Sequence, residues 1–312
     1  MPGSEDVAAP PVAAVRELAL EGGAVVGTTT GIPPRTFGQR ARRVVVYVLM
    51  IGLALLYLVP FVYSVSTSLK TQAEAAAGFD LWPSEATLAA YREIWSREDL
   101  SFVTFFKNSL IVSGSTAVIV TILASLSGYA LSRFNFRGKY WLVALMLLTQ
   151  MFPLVMLVAP IFKILSPLGL TNSLTGLVIV YTAFNVPFAT FLMQSFFDGI
   201  PKDLEEAAMI DGATQFIAFR QIILPLTLPG IAATLGFVFT AAWSELLFSL
   251  MLISGNDQAT FPVGLLSFVS KFSVDFGQMM AAGVLALIPA CLFFLLIQRY
   301  LVQGLTAGAV KG

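Results

Sequence analysis

Long stretches without any charged residue dominate the pattern of this sequence. A bilayer core about 30 Å thick is crossed by about 20 helical residues, and a charge near its centre costs about 2.5–3.5 kcal/mol on insertion scales. Six runs reach this length, and they predict transmembrane helices at Val44–Val65, Ser109–Leu131, Tyr140–Phe162, Gly176–Phe197, Ile231–Ile253 and Gly277–Ile297. Only the fifth run contains a charge, Glu245. The pattern therefore predicts an all-α, polytopic membrane protein with six spans.

Lys and Arg residues are unevenly distributed between the segments that join these runs. If the N-terminus is cytoplasmic, twelve of the 18 Lys and Arg residues fall on inner segments and six on outer ones. Arg40, Arg42 and Arg43, directly before the first run, give the strongest part of this bias. The positive-inside rule then predicts that both termini are cytoplasmic. Residues 1–38, rich in Pro, Gly, Ala and Thr, predict a mobile tail ahead of the membrane domain, residues 39–312.

The composition removes several classes of function. Hydrophobic residues make up 57% of the chain and charged residues 12%, with 18 Lys and Arg against 18 Asp and Glu. This balance excludes a purely cytosolic protein, and it leaves no basic excess for binding nucleic acid. One cysteine and no histidine exclude a disulfide framework, and they remove most zinc chemistry and every His-based triad. The sequence also lacks a phosphate-binding P-loop motif, so we expect neither ATP hydrolysis nor a bound metal or cofactor on this chain.

The segments outside the membrane carry two helical patterns. In the loop 66–108, Leu88, Tyr91, Ile94 and Trp95 recur at helical spacing after Thr87, which predicts a short surface helix with a Thr cap. In the loop 198–228, the pattern predicts two short helices separated by a turn at Gly212. We expect the first helix to begin at Pro201, with Asp203, Glu205 and Glu206 in its first turn. We expect the second helix to be capped by Thr214 and to end at Pro225. Its apolar stripe is formed by Phe216, Phe219 and Ile223.

Two interpretations of the loop 198–228 are open on physical grounds. Amphipathic linker helices commonly lie at the lipid interface, where their polar face is usually basic. The first predicted helix here is acidic, and its small residues Ala207 and Ala208 allow another surface to approach closely. This composition favours a protein partner over lipid.

The same loop resembles the EAA loop of ABC importer permeases. Glu206-Ala207-Ala208, Gly212, Ile222 and Leu224-Pro225 stand at the spacing of that motif, in a loop before the penultimate span. The resemblance implies the type I ABC importer permease fold, with two helices that fit a cleft on an ATPase subunit. By this resemblance the docking residues are Glu205, Glu206, Ala207, Ala208, Asp211, Gly212, Ala213, Ile222, Leu224 and Pro225.

Further segments resemble a narrower group, the second (G-like) permease subunits of maltose-type carbohydrate importers. They are Ser66–Lys70, Gly128–Phe134, Phe136–Lys139 and the C-terminal Gly304–Gly312, so the resemblance runs from about Arg42 to Gly312. It implies import of a disaccharide or oligosaccharide across the cytoplasmic membrane. The partners it implies are a second homologous permease, an extracytoplasmic solute-binding protein and two ATPase subunits that hold ATP and Mg²⁺.

Alternatives to this interpretation concern the cargo and the energy source. The second hypothesis keeps the importer architecture but changes the cargo to a phosphorylated polyol, an oligopeptide or an amine. The third hypothesis is a carrier or channel that works alone and is coupled to an ion gradient. The lone membrane carboxylate of Glu245 argues against that carrier, because a proton relay needs a series of such groups.

Three residues within the spans are candidates for the translocation path: Asn185, Ser244 and Glu245. Glu245 is either a functional group or a packing group bonded to a hydroxyl or the backbone. Asn185 and Pro187 either break the fourth span to line a cavity or mark a plain kink. Ser244 stands where the resembling family has Asn in a Trp-Asn-Glu pattern, which leaves the role of this position open.

Overall fold

The computed structural model describes residues 37–96, 102–269 and 274–309, with side chains from residue 42 to 298. Within these residues the regular structure is helical, apart from one isolated β-bridge between Val269 and Val274. The all-α prediction is thus confirmed for this part of the chain. Of the predicted N-terminal tail, residues 1–36 lie outside the described residues. The chain divides into two compact units after Val59, and the sites described below all lie in the second.

Thirteen helices are described in these ranges. They are α1 Phe37–Ser68, α2 Gln72–Ala77, α3 Ala89–Ser96, α4 Phe102–Arg133, α5 Lys139–Met151, α6 Leu154–Leu165, α7 Leu174–Asp198, α8 Asp203–Ile210, α9 Gln215–Leu226, α10 Leu228–Trp243, α11 Leu247–Leu252, α12 Phe261–Leu266 and α13 Phe276–Ala309. Helix α9 contains a π-helical turn at Phe219–Ile223.

Four of these helices, α1, α4, α7 and α13, are long and apolar enough to cross a membrane. They contain the first, second, fourth and sixth predicted spans. Two further pairs, α5 with α6 and α9 with α10, qualify only if each bent pair is taken as one span. The described residues therefore hold four to six spans.

The third predicted span, Tyr140–Phe162, is wrong as a single continuous helix. Helices α5 and α6 meet at an angle of 104°, and the break lies at Phe152 and Pro153, which both have extended backbone. Proline has no backbone N–H, and its ring disfavours helical conformation in the residue before it. A pattern of hydrophobic residues does not register this break, because the charge-free run continues from one half into the other.

The fifth predicted span, Ile231–Ile253, is also interrupted. Helix α10 ends at Trp243, and α11 begins only at Leu247. The Glu245 carboxylate accepts a hydrogen bond from the Phe248 N–H at 3.0 Å, so this side chain satisfies an amide at the start of α11. A side-chain acceptor of this kind competes with the continuous helical ladder, which explains the interruption.

Helices α4 and α7 form the central pair of the second unit. A Cβ added at Gly128 would lie 2.8 Å from the Gln194 nitrogen and 2.9 Å from the Met193 Cβ, so only glycine permits this approach. One side-chain pair crosses the same seam, where the Ser127 and Thr190 hydroxyls lie 2.7 Å apart. Small residues and hydroxyl pairs are typical of helix contacts in membranes, where apolar surface alone gives no preference for protein over lipid.

The short helix predicted in the loop 66–108 is confirmed as α3. The Thr87 hydroxyl oxygen accepts a hydrogen bond from the Ala89 N–H at 3.2 Å, at the start of the helix. Ala90 and Ile94 are buried against Phe102, Phe261 and residues of α13. Leu88 and Trp95 remain exposed, so the face that packs is narrower than the hydrophobic pattern indicates.

Candidate coupling site and membrane cavity

The two helices predicted in the loop 198–228 are present as α8 and α9. Gly212 lies between them with φ +89°, the left-handed region that glycine adopts without strain. Thr214 has extended backbone, and its hydroxyl oxygen accepts a hydrogen bond from the Ile217 N–H at 3.3 Å, as expected of an N-cap. The glycine turn and the threonine cap together set where α8 ends and α9 begins.

The ends of these helices differ from the prediction in two details. Helix α8 begins at Asp203, two residues after Pro201, with Lys202 at the N-cap position. Helix α9 continues through Pro225 and ends at Leu226. The π turn before the proline explains the second difference, because the Leu224 N–H bonds to the Phe219 carbonyl five residues back and the helical path is already widened there.

The predicted stripe on α9 is only partly buried. Phe219 and Ile223 pack into the core between α4, α7 and α10, and Ala218 is buried beside them. Phe216, in contrast, is exposed. The buried face is thus displaced toward Ala218, and Phe216 faces outward near the glycine turn.

The docking residues indicated by the sequence fall into three groups in the structure. The exposed ones are Glu206, Ala207, Asp211, Gly212 and Pro225; those of intermediate exposure are Ala213, Ile222 and Leu224; the buried ones are Glu205 and Ala208. Four of the five exposed residues lie on α8 and the turn that follows it. A partner surface therefore has access to the outer face of α8 and the Gly212 turn.

Glu205 is the clearest departure from the sequence prediction, because its side chain points into the chain. It is 5% exposed, and its Oε1 accepts from the Arg133 Nε at 2.5 Å. Its Oε2 accepts from the Tyr129 hydroxyl at 3.1 Å. Both partners lie in the last turns of α4. As a surface contact for another protein, Glu205 is therefore a wrong assignment.

Arg133 and Tyr129 are site residues that sequence reasoning missed. They lie in the segment Gly128–Phe134, which was noted for its resemblance without any role being assigned. The Arg133 guanidinium also donates to the Ile200 carbonyl at 3.0 Å, and the Tyr129 ring lies 4.4 Å from that of Phe219. The sequence places a basic residue, Arg133, directly after the second predicted span and an acidic residue, Glu205, in the loop after the fourth. This arrangement was the available signal for an ion pair at the cytoplasmic ends of the helices.

A cavity of about 310 Å³ lies among the membrane helices. Its wall is formed by α5, α6, α7, α10, the α10–α11 junction and α11, and most of the side chains are aromatic or amide-bearing. The polar members are Thr149, Gln150, Tyr181, Asn185 and Glu245, and the phenylalanines are Phe152, Phe184, Phe188, Phe237 and Phe248. Two of the three path candidates, Asn185 and Glu245, thus line one cavity.

The hydrogen bonds around this cavity settle the path of the fourth span and show the partners of the other two candidates. Glu245 accepts from the Tyr181 hydroxyl at 2.5 Å as well as from the α11 backbone, so it has the packing partners of a structural group and also a cavity position. The Asn185 amide donates to the Tyr181 carbonyl at 2.8 Å, and α7 is continuous through Pro187. A broken fourth span is therefore wrong. Ser244 donates to the Thr240 carbonyl and is not among the residues that line the cavity.

Comparison with known families identifies this architecture. The model of the family described as "Binding-protein-dependent transport system inner membrane component" matches residues 121–307. The match begins within α4 and extends through α8, α9 and the cavity helices into α13. The chain belongs to this family.

Curated relatives of this transport component align over nearly their whole length. The trehalose/maltose transport system permease protein MalG of Thermococcus litoralis is 35% identical over 272 residues, which cover 87% of this chain and 98% of the relative. The trehalose transport system permease protein SugB of Mycobacterium tuberculosis is 40% identical over 266 residues, 85% of this chain and 95% of the relative. The predicted maltose-type resemblance is thereby confirmed.

A solved structure has the same fold as this transport component. A chain from a bacterial ABC transporter involved in the import of the acidic polysaccharide alginate superposes with a TM-score of 0.72 and 23% identity, covering 86% of this chain and 99% of that one. The predicted ABC importer permease fold is thus confirmed. The chain is a permease of a binding-protein-dependent ABC importer and a membrane protein.

Proposed function

We propose that this permease translocates a neutral carbohydrate, a disaccharide or a short oligosaccharide, across the cytoplasmic membrane. The observation that carries the proposal is the near full-length alignment with relatives named for trehalose and maltose transport. The cavity supports it, since amide and carboxylate acceptors beside phenylalanine rings suit a ligand with hydroxyl groups and apolar C–H faces. Among the described residues that line the cavity none is basic, which disfavours an anionic cargo such as a phosphorylated polyol.

The proposed energy source is ATP hydrolysis on partner subunits. In this proposal two ATPase subunits hold the ATP and Mg²⁺, a second homologous permease completes the path, and an extracytoplasmic solute-binding protein delivers the sugar. The exposed outer face of α8 and the Gly212 turn dock on an ATPase, with both termini on the same cytoplasmic side. Closure of the ATPases then moves α8 and opens the path alternately to each side of the membrane.

Within that docking surface, the contacts assigned to the partner are the exposed Glu206, Ala207, Asp211 and Gly212. Small side chains at Ala207 and Gly212 allow close approach, and the carboxylates provide the charge for basic partner groups. Of the other proposed contacts, Ala213 is partly exposed, Ile222 and Leu224 pack in part against the core, and Pro225 is exposed on α9. Ala208 and Glu205 support the docking surface from within the chain.

The test begins with purification of the tagged chain in mild detergent from its native host and mass spectrometry of the proteins that copurify. The proposal predicts an ATPase with a P-loop, a second permease and a solute-binding protein. Recovery of the chain alone, or only with further copies of itself, would overturn the docking proposal in favour of a stand-alone carrier. Sugar uptake by the reconstituted complex, competed by unlabelled disaccharides but not by phosphorylated polyols, tests the cargo.

A matched pair of substitutions tests the docking turn itself. Gly212→Asp places a charge in the turn and is expected to lower uptake about tenfold or more, as loss of one coupling contact does. Gly212→Asn has nearly the same shape without the charge, and Asn and Asp both tolerate the left-handed backbone. We expect the Asn variant to keep more uptake than the Asp variant. Normal uptake with Gly212→Asp would contradict the docking assignment.

A further inference from the structure

We propose that the buried pair Arg133–Glu205, together with Tyr129, is the mechanical link that transmits movement of the docking helix α8 to the membrane helix α4. The inference rests on the proposed function, because it requires an ATPase that moves α8. It assigns Arg133 and Glu205 as positioning residues that contact neither the cargo nor ATP.

Helix α8 has few buried side chains that attach it to the rest of the protein. Of its eight residues only Glu205 and Ala208 are buried. An alanine side chain is a single methyl group, so the apolar contact it adds is small. Among the described side chains of α8, Glu205 is the one that forms hydrogen bonds to the membrane helix behind it.

The neighbouring helix α9 is attached in a different way. Its Phe219 and Ile223 side chains belong to an apolar cluster with buried residues of α4, α7 and α10, and Ala218 is also buried. Loss of a charge would leave this apolar attachment in place. The two docking helices thus depend on different forces, and only α8 depends on an ion pair.

The ion pair joins two helix ends whose dipoles favour opposite charges. Arg133 is the last residue of α4, where the helix dipole favours a cation, and Glu205 lies in the first turn of α8, where it favours an anion. The side chains of the two residues are 5% and 6% exposed. Because both charges are withdrawn from water, removal of either one leaves the other unpaired in a medium that solvates it poorly.

Arg133 also fixes the connection that leads into α8. Its guanidinium donates to the Ile200 carbonyl at 3.0 Å and to the Ser132 hydroxyl at 3.2 Å, and that hydroxyl donates to Asp198 at the end of α7. The link therefore joins the ends of α4 and α7 to the start of α8 through one guanidinium. A displacement of α8 is passed to both membrane helices while these bonds hold.

The experiment uses the complete importer in proteoliposomes, with ATP hydrolysis and sugar uptake measured on the same preparation. Glu205→Gln and Arg133→Gln are expected to retain the ATPase subunits and ATP hydrolysis, while uptake per ATP falls about tenfold. The exchanged pair Arg133→Glu with Glu205→Arg restores a pair of opposite charges, but it reverses both charges against the helix dipoles and removes the bond to the Ile200 carbonyl. It is therefore expected to recover part of the lost uptake, above the level of either single variant. The exposed Arg137→Gln, four residues after the end of α4, serves as the charge control.

Each outcome decides the proposal. Single variants that assemble and keep uptake per ATP within about twofold of the wild type would overturn it, whereas low uptake with persistent hydrolysis and recovery in the exchanged pair would support it. Single variants that fail to assemble, without recovery in the exchanged pair, would also overturn it, since the pair would then serve folding alone. Failure of the wild-type chain to bind an ATPase would instead contradict the proposed function.

Discussion

Two helices of eight residues, α3 and α8, lie in different loops of the same unit and are attached by different forces. Each buries two side chains one turn apart: Ala90 and Ile94 in α3, Glu205 and Ala208 in α8. In α3 the larger of the two is an isoleucine in an apolar cluster. In α8 it is a carboxylate paired with Arg133. Helices of equal length are thus held by apolar burial in one loop and by charge in the other.

This difference has a consequence for how each helix responds to movement. Apolar contact is non-directional, so a helix held by it tolerates small displacement with little change in energy. A hydrogen-bonded ion pair depends strongly on distance and angle. The helix proposed to receive movement from the ATPase is the one held by the directional contact.

The largest loss of stability in this comparison of α3 and α8 is expected from Arg133→Met. The substitution leaves the Glu205 carboxylate buried without its cation, at a cost of about 3–5 kcal/mol. Hydrogen exchange on the purified protein should show loss of protection at the amides of α8, with α3 unchanged. Arg137→Met, an exposed arginine four residues later, is the matched control and should leave both helices protected. Equal protection of α8 in the two variants would show that the ion pair does not hold it.

A loss of stability of similar or smaller size is expected in α3 from Ile94→Ala. Ile94 is 2% exposed, and replacing a buried isoleucine by alanine costs about 2–5 kcal/mol. Protection should now be lost in α3 and retained in α8. Leu88→Ala, at an exposed position before α3, should change stability by less than about 0.5 kcal/mol. If Ile94→Ala and Leu88→Ala behaved alike, apolar burial would not be the attachment of α3.

The smallest loss of stability is expected from Glu93→Gln in α3, the same chemical change as Glu205→Gln in α8, which breaks the buried ion pair. The exposed Glu93 carboxylate accepts from the Gln278 side-chain amide at 2.7 Å, and a hydrogen bond of this type contributes about 0.5–3 kcal/mol. Because Glu93 is exposed, we expect a loss at the lower end of that range. Sugar uptake should be unaffected by Glu93→Gln. A larger loss of stability with Glu93→Gln than with Glu205→Gln would reverse the comparison.

The sequence was sufficient to predict much of the fold because its strongest signals are local. Charge-free runs locate α1, α4, α7 and α13, and the capping and turn residues Thr87, Gly212 and Thr214 stand where helices begin or end. These features depend on a few neighbouring residues each. The breaks at Pro153 and Glu245 were missed because the hydrophobic pattern continues across them.

The orientation of the site residues could not be predicted in the same way. Glu205 and Glu206 are adjacent acidic residues in one helical turn, and the pattern gives no reason to separate them. The structure buries the first and exposes the second because Arg133, 72 residues earlier in the chain, lies behind α8. Such a pairing depends on how α4 and α8 meet, which is a property of the tertiary fold.

The most direct test of the docking surface is a cross-link from α8 to its proposed partner. With the exposed Cys291 replaced by Ser, a single cysteine is introduced at Ile210, which is 86% exposed at the end of α8, or at Leu88, which is exposed before α3. A photoreactive label on each cysteine is activated in native membranes, and the products are identified by mass spectrometry. We predict that Ile210→Cys cross-links to a P-loop ATPase and that Leu88→Cys does not. An ATPase captured only from Leu88→Cys, or from neither position, would contradict docking through α8.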